Sequence, residues 1–217
     1  MTIRLLLADD HRMMREGLRS LLETRDEFQV VGEACNGRDS VALARSLQPD
    51  VVIMDIGMKE LNGVEATRQL RSESPRVKVV VLSTHSHENY VLSALEAGAS
   101  AYVLKMCAHD ELVQAISAAM CGRRFLSPDI TGIVVDAWIQ GAMFSRGPSH
   151  SRLTGREHEI LQLVAEGETS GQIAQCLNIS TRTVEQHRRR IMDKLNLHGV
   201  AELTAYAIRE GIVCLDD

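Results

Sequence analysis

The apolar run RLLLADDH, residues 4–11, ends in two adjacent carboxylates, Asp9 and Asp10. Like charges in contact raise each other's pKa and resist ionisation unless a positive charge lies between them. Three further apolar runs close on polar groups: DVVIMD (50–55) on Asp55, VKVVVLS (77–83) on Ser83 with Thr84 next, and SAYVLK (100–105) on Lys105. A hard divalent cation such as Mg2+ would supply the missing charge, because it prefers carboxylate oxygens and retains several waters. A second constellation lies in ISTRTVEQHRRRIMDKL (179–195), where Arg182, Arg188, Arg189, Arg190 and Lys194 stand against Glu185 and Asp193. At ~100° per residue, Val184, Ile191 and Leu195 share one stripe, and Arg182, Gln186, Arg189 and Asp193 line the opposite face, with Glu185 and Arg190 at its edges. Taken alone, such a charge run suits either a solvated helix face or a nucleic-acid contact.

The elements that carry the first set follow from hydrophobic periodicity. IRLLLA (3–8), FQVVGEA (28–34), DVVIMD, VKVVVLS and SAYVLK are short, β-branched and nearly continuous, as strands buried on both faces must be. Helical patterns separate them, beginning at His11, Gly37, Gly63 and His87, with a fifth from Ala108. A strict βα repeat requires a parallel sheet covered by helices on both faces. Right-handed crossovers then make a flavodoxin-like, doubly wound, five-stranded sheet the economical topology, with ligands outside the carboxyl ends of the strands. All the chemistry-bearing residues above sit at those ends.

After RRFLSPD the rhythm stops. Residues 129–143 read as one more helix, and SRGPSHS (145–151) concentrates Gly, Pro and Ser in a linker. From Thr154 onward only helical patterns appear, and Thr154 with Glu157 forms a capping box. The expected organisation is a first domain over 1–126, a linker with a helix over 127–151 and a small all-α domain over 152–217.

Composition agrees with two soluble domains. Of 217 residues, 45% are hydrophobic and 24% charged, and the formal net charge is −5. Both halves are slightly acidic, so any nucleic-acid contact must be local: residues 1–128 hold 15 Lys/Arg against 17 Asp/Glu, and residues 150–217 hold 8 against 10. The five cysteines are scattered without a CxxC pair, which suggests neither a disulfide framework nor a zinc site. His85 and His87 lack a third ligand nearby in sequence. No apolar stretch is long enough to span a membrane, and MTIRLLLADD turns acidic too early for a secretory segment, so a cytoplasmic protein is expected.

With these residues in place, the chain resembles the NarL/FixJ class of two-component response regulators, in which a receiver domain precedes a LuxR-type helix-turn-helix. The receiver resemblance covers residues 1–126. It implies Asp9 and Asp10 as the acidic metal pocket, Asp55 as phosphoacceptor and further metal ligand, and the main-chain carbonyl of Gly57 as the last protein ligand to Mg2+. It also implies Ser83 as the hydroxyl that meets the phosphoryl group, Lys105 as its counter-ion and Tyr102 as an aromatic switch. One departure stands out in DIGMKELNG: Lys59 occupies the position where the family usually has proline, which removes a rigid ring and adds a cation.

The second resemblance spans residues 152–213, from LTGREHEILQLVAEG through STRTVEQHRRRIMDKL. It implies base contacts from Glu185, Gln186 and Arg189, whose chemistry suits cytosine, adenine and guanine. Thr181, Arg182, Thr183, Arg190 and Lys194 are assigned to phosphates, which position without specifying. Arg188 and His187 flank the apolar stripe and read as packing residues. The resemblance further implies a sensor histidine kinase as phosphoryl source, double-stranded DNA as target and a homodimer paired through GVAELTAYAIREG (199–211). The expected function is a phosphorylation-controlled transcription regulator rather than an enzyme. A phosphohydrolase using Asp55 is the enzymatic alternative, but Gly57 leaves no general acid two residues after it. The remaining alternative is a DNA-binding regulator whose receiver works without phosphorylation.

Overall fold

The computed structural model of the protein describes residues 2–139 and 153–213. The chain divides into two compact units between residues 143 and 144, and each is described by itself. The expected linker SRGPSHS, the end of the helix expected to reach residue 143, and Cys214 lie outside the described residues.

In the first unit, strands β1 (Ile3–Ala8), β2 (Phe28–Ala34), β3 (Val51–Met54), β4 (Lys78–Ser83), β5 (Ala101–Leu104) and β6 (Phe125–Leu126) form one parallel sheet in the order β2-β1-β3-β4-β5-β6. Helices α1 (Arg12–Glu23), α2 (Gly37–Leu47), α3 (Gly63–Glu73), α4 (Glu88–Ala97) and α5 (Ala108–Met120) alternate with the strands. The order reverses between β2 and β3, as in a doubly wound sheet, and the binding edge lies at the carboxyl ends beside that reversal.

The pleat sorts each strand between two cores. Leu6, Ala8, Val52, Met54, Val79, Val81, Tyr102 and Leu104 face α2, α3 and α4. Leu5, Leu7, Val51, Ile53, Val80, Leu82, Ala101 and Val103 face α1 and α5. Both alternate sets are apolar, which is why the strands read as continuous apolar runs.

The expected five strands are corrected to six. β6 is a two-residue edge strand whose Phe125 and Leu126 pair with Ala101 and Tyr102. So short a run has no periodicity of its own; it is held by the hydrogen bond from Phe125 N–H to the Ser100 carbonyl and by packing on α5. The chain then enters α6 (Pro128–Ile139), which packs on α4 through Ile130, Ile133 and Val134, and so belongs to this unit.

The second unit is helical: α7 (Gly155–Ala165), α8 (Ser170–Cys176), α9 (Thr181–Leu195) and α10 (Val200–Arg209). Its core gathers Leu153, Ile160, Leu161, Val164, Ile173, Val184, Ile191, Leu203, Tyr206 and Ala207. Thr154 with Glu157 and Thr169 with Gln172 form two capping boxes, and the Ser180 side chain caps α9. Each of these caps satisfies N–H groups that the first helical turn cannot.

Candidate functional site

Parallel strand ends bring five of the predicted residues to one edge. Asp9 and Asp10 follow β1, Asp55 follows β3, Ser83 ends β4 and Lys105 follows β5 at the start of a short 3-10 turn. Asp9, Asp55 and Ser83 are buried, whereas Asp10 and Lys105 are partly exposed. Lys105 Nζ lies 2.8 Å from Asp9 Oδ2 and 3.0 Å from Asp55 Oδ2, bridging the two buried carboxylates. The second Asp55 oxygen, Oδ1, accepts the N–H of Ile56 at 2.8 Å.

Electrostatics here are dominated by burial. Desolvation pushes the Asp55 carboxyl above its ordinary value; Lys105 opposes the shift and the Asp9 charge reinforces it. For Lys105, burial acts to release the proton, but attraction to Asp55 and Asp9 is larger and raises the ammonium above its ordinary value.

Three carboxylates facing one ammonium leave a local excess of negative charge. Asp9 Oδ2 and Asp10 Oδ1 are buried and accept no well-directed hydrogen bond, despite the nearby Lys105 and His11. Ligating atoms of Asp9, Asp10, His11 and Asp55 all lie within 4.8 Å of one another. Hard oxygen donors in uncompensated excess fit a hard divalent cation. His11 is the member that sequence reasoning missed: its Nδ1 is 2.8 Å from Asp10 Oδ1 and its N–H donates to Asp9 Oδ1 at 2.8 Å. Its adjacency to Asp10 was the available signal. Arg15 was missed as well; it donates to the Asp9 carbonyl at 2.7 Å and pairs with Glu33.

The remaining predicted residues are placed as follows. Tyr102 is fully buried, and its hydroxyl donates to the His85 carbonyl at 2.7 Å, while His85 stacks on Tyr90. Ser83 Oγ accepts the His85 N–H at 3.1 Å, so Ser83 and Tyr102 hold the same loop. Gly57 lies in the turn after Asp55, and Lys59 is exposed next to Glu60, whose φ is +65°.

In the second unit, α8 and α9 pack as a helix-turn-helix. Val184 and Ile191 are buried, whereas Arg182, Glu185, Gln186, Arg189, Arg190 and Asp193 line an open surface on the outer face of α9. Thr181 is exposed, and Thr183 is half-buried against the Ser180 cap.

Lys194 is placed differently from a free phosphate contact. Its Nζ lies 2.6 Å from Glu157 Oε2, an oxygen that also accepts from the N–H and hydroxyl of Thr154. Burial tends to raise the Glu157 carboxyl, but Lys194 and Thr154 together hold it below its ordinary value. A carboxylate depressed in the folded state adds stability that is fully present above its unfolded value, near 4.3, and is lost as pH falls below that and through the folded value. Lys194→Ala is therefore expected to destabilise this unit by about 1–2 kcal/mol at neutral pH, discounted for the exposure of the lysine. Thermal unfolding should show the difference shrinking as pH drops through the carboxylate range; a constant difference would dissociate Lys194 from Glu157.

Comparison with known proteins agrees with both units. The family described as response regulator receiver domain matches residues 5–117, and that of bacterial regulatory proteins of the luxR family matches residues 151–207. The response regulator protein VraR of Staphylococcus aureus is 33% identical over 213 residues, covering 98% of this chain and all of that protein. Among solved structures, a LuxR-family two-component response regulator from Aurantimonas sp. SI85-9A1 is 40% identical with a TM-score of 0.61, covering 64% of this chain and 99% of that one. A structure of two RcsB dimers bound to two parallel DNAs is 25% identical with a TM-score of 0.60, covering 95% and 98% of the respective chains.

Proposed function

The chain belongs to the response regulators that join a receiver domain to a LuxR-type DNA-binding domain, and we propose that it is a transcription regulator switched by phosphorylation of Asp55. The observation that carries this reading is the bridge from Lys105 Nζ to the buried carboxylates of Asp9 and Asp55. It holds a nucleophilic oxygen and a cation where an incoming phosphoryl group needs both. We assign receiver function to residues 1–126, the connection to 127–151 and DNA binding to 152–217.

In the proposed reaction, an Asp55 carboxylate oxygen attacks the phosphorus of a sensor histidine kinase's phosphohistidine. The O–P bond forms as the P–N bond breaks, and the leaving imidazole takes up a proton. Asp9, Asp10 and Asp55, with the Gly57 carbonyl, would hold Mg2+. When bound, the ion neutralises charge on the phosphoryl oxygens. Lys105 turns from bridging carboxylates to pairing with the new phosphoryl oxygens. Ser83 can donate its hydroxyl to one of them, and because its Oγ also receives the His85 N–H, that movement reaches the loop held by Tyr102. Among the described residues, no helix is long and apolar enough to cross a membrane.

DNA recognition is assigned to the outer face of α9, with Glu185, Gln186 and Arg189 on bases and Thr181, Arg182, Thr183 and Arg190 on phosphates. Lys194 remains a phosphate candidate only if DNA competes with Glu157 for it. A two-fold dimer is supported by α10, where Leu203 and Ala207 serve the unit's own core while Val200, Ala201 and Ala205 stay exposed. A single recognition helix touches few base pairs, so pairing multiplies specificity.

The deciding experiment treats the full chain with acetyl phosphate and Mg2+ and follows phosphoryl uptake, self-association and retention of duplex DNA together. Uptake without any change in DNA binding would favour the receiver that works independently of phosphorylation. On a selected duplex, Arg189→Ala should cost ~1–3 kcal/mol of binding and relax preference at one base pair per half-site. Unchanged selectivity in a fluorescence titration would remove Arg189 from the base-reading set.

A further inference from the structure

Glu185 does not stand free on the outer face of α9. Ser170, the first residue of α8, donates its hydroxyl to Glu185 Oε1. The same Ser170 Oγ accepts from Arg188 Nη1 at 2.7 Å, and that guanidinium nitrogen lies 3.4 Å from Glu185 Oε1. Serine thus uses its one proton toward the carboxylate and a lone pair toward the guanidinium, which is the only polarity that satisfies both neighbours. The Arg188 side chain is 21% exposed and that of Glu185 58%. The cation is therefore the shielded member of the cluster, and the carboxylate keeps an open side.

The cluster is not needed to start α8. Thr169 and Gln172 form the capping box there, with the Gln172 N–H on Thr169 Oγ1 at 3.3 Å and the Thr169 N–H on Gln172 Oε1 at 2.9 Å. What Ser170 does instead is join the first helix of the helix-turn-helix to two side chains of the second, Glu185 and Arg188.

We propose that Ser170 and Arg188 are positioning residues for base selection, holding the Glu185 carboxylate in one rotamer and screening its charge so that it can enter a phosphate-lined groove. Two physical effects support this. An unrestrained glutamate loses side-chain rotamer freedom on being fixed, and the clasp removes part of that loss before DNA arrives. A bare carboxylate is also repelled by phosphates, whereas one paired with Arg188 presents little net charge and still has lone pairs for a cytosine N4 amine. The proposal rests on the assignment of Glu185 to base reading and adds which residues make that reading selective.

The test uses the full chain, phosphorylated with acetyl phosphate and Mg2+, and a duplex library with a randomised centre. Enriched sequences are compared for the wild type, Glu185→Ala, Ser170→Ala and Ser170→Thr. Glu185→Ala identifies the position that Glu185 reads by the loss of its preference. Ser170→Ala should weaken discrimination at that same position by ~3-fold or more, out of the ~5- to 150-fold that a good side-chain contact provides. Preferences elsewhere, the salt dependence and the unfolding temperature should stay as in the wild type, and Ser170→Thr should restore selectivity by keeping the hydroxyl. If Ser170→Ala retains wild-type selectivity where Glu185→Ala loses it, the clasp positions nothing and only this proposal falls. If Glu185→Ala changes no preference, Glu185 reads no base and both assignments fall.

Discussion

Asp55→Asn is expected to reduce phosphoryl uptake to background while the protein folds as before. The amide matches the carboxylate in shape, and its single oxygen can keep the Ile56 N–H, 2.8 Å from Oδ1 in the wild type, while its NH2 group replaces the Oδ2 that faces Lys105 at 3.0 Å. It lacks the nucleophilic oxygen that would form the O–P bond in the proposed transfer. Stability should be equal or higher. Burial and the Asp9 charge push the Asp55 carboxyl up against the opposing pull of Lys105, so its ionised form is less favoured in the folded than in the unfolded chain, and a neutral side chain relieves that cost. Radiolabel transfer from acetyl phosphate measures the first effect, and thermal unfolding without divalent cation measures the second. Wild-type labelling of the variant would place the acceptor elsewhere, and a large fall in unfolding temperature would mean that the carboxylate holds the fold together.

Gly63→Ala should be among the most damaging single-atom additions to the first unit. A Cβ at Gly63 would sit 1.9 Å from the Asp55 carbonyl oxygen, 2.8 Å from its carbon and 3.0 Å from the Ile56 Cα. All three are backbone atoms, so no rotamer change can clear them. The Gly63 N–H also donates to the Ile56 carbonyl at 3.0 Å, which ties the start of α3 to the turn that carries Asp55. Replacing glycine by alanine in a helix ordinarily gains up to ~1 kcal/mol. Here overpacking against a buried backbone reverses the sign, with an expected loss of ~3 kcal/mol or more and slower phosphoryl uptake as Asp55 is displaced. Gly17 is the internal control: an added Cβ there meets nothing within 4 Å, so Gly17→Ala should be neutral or stabilising. Denaturant unfolding of the two variants decides the matter, and a cost below ~1 kcal/mol for Gly63→Ala would mean that the β3–α3 turn gives way easily.

Hydrophobic periodicity and capping residues were enough to specify the alternation of β1–β5 with α1–α5, the helix-turn-helix and the strand-end position of Asp9, Asp10, Asp55, Ser83 and Lys105. These follow from local physics. Strands buried on both faces must be continuous apolar runs, and a parallel sheet puts all their carboxyl ends on one edge. Helix starts were legible for the same reason, since the Thr154–Glu157 box closes within four residues. Which side chains meet depends on how the elements pack. Lys105, after β5, reaches Asp55 past β4 and Asp9 past β4 and β3, and Lys194 turns to Glu157, 37 residues away, where the family resemblance assigns it to a phosphate. Ser170 reaches Glu185, fifteen residues on, and β6 exists because Phe125 and Leu126 find an open edge beside β5. Periodicity reports which face of an element is buried. The partner of a charged or hydroxyl group is set by the packing of elements distant in sequence, because most buried polar atoms must find a hydrogen-bonding group among whatever that packing brings near.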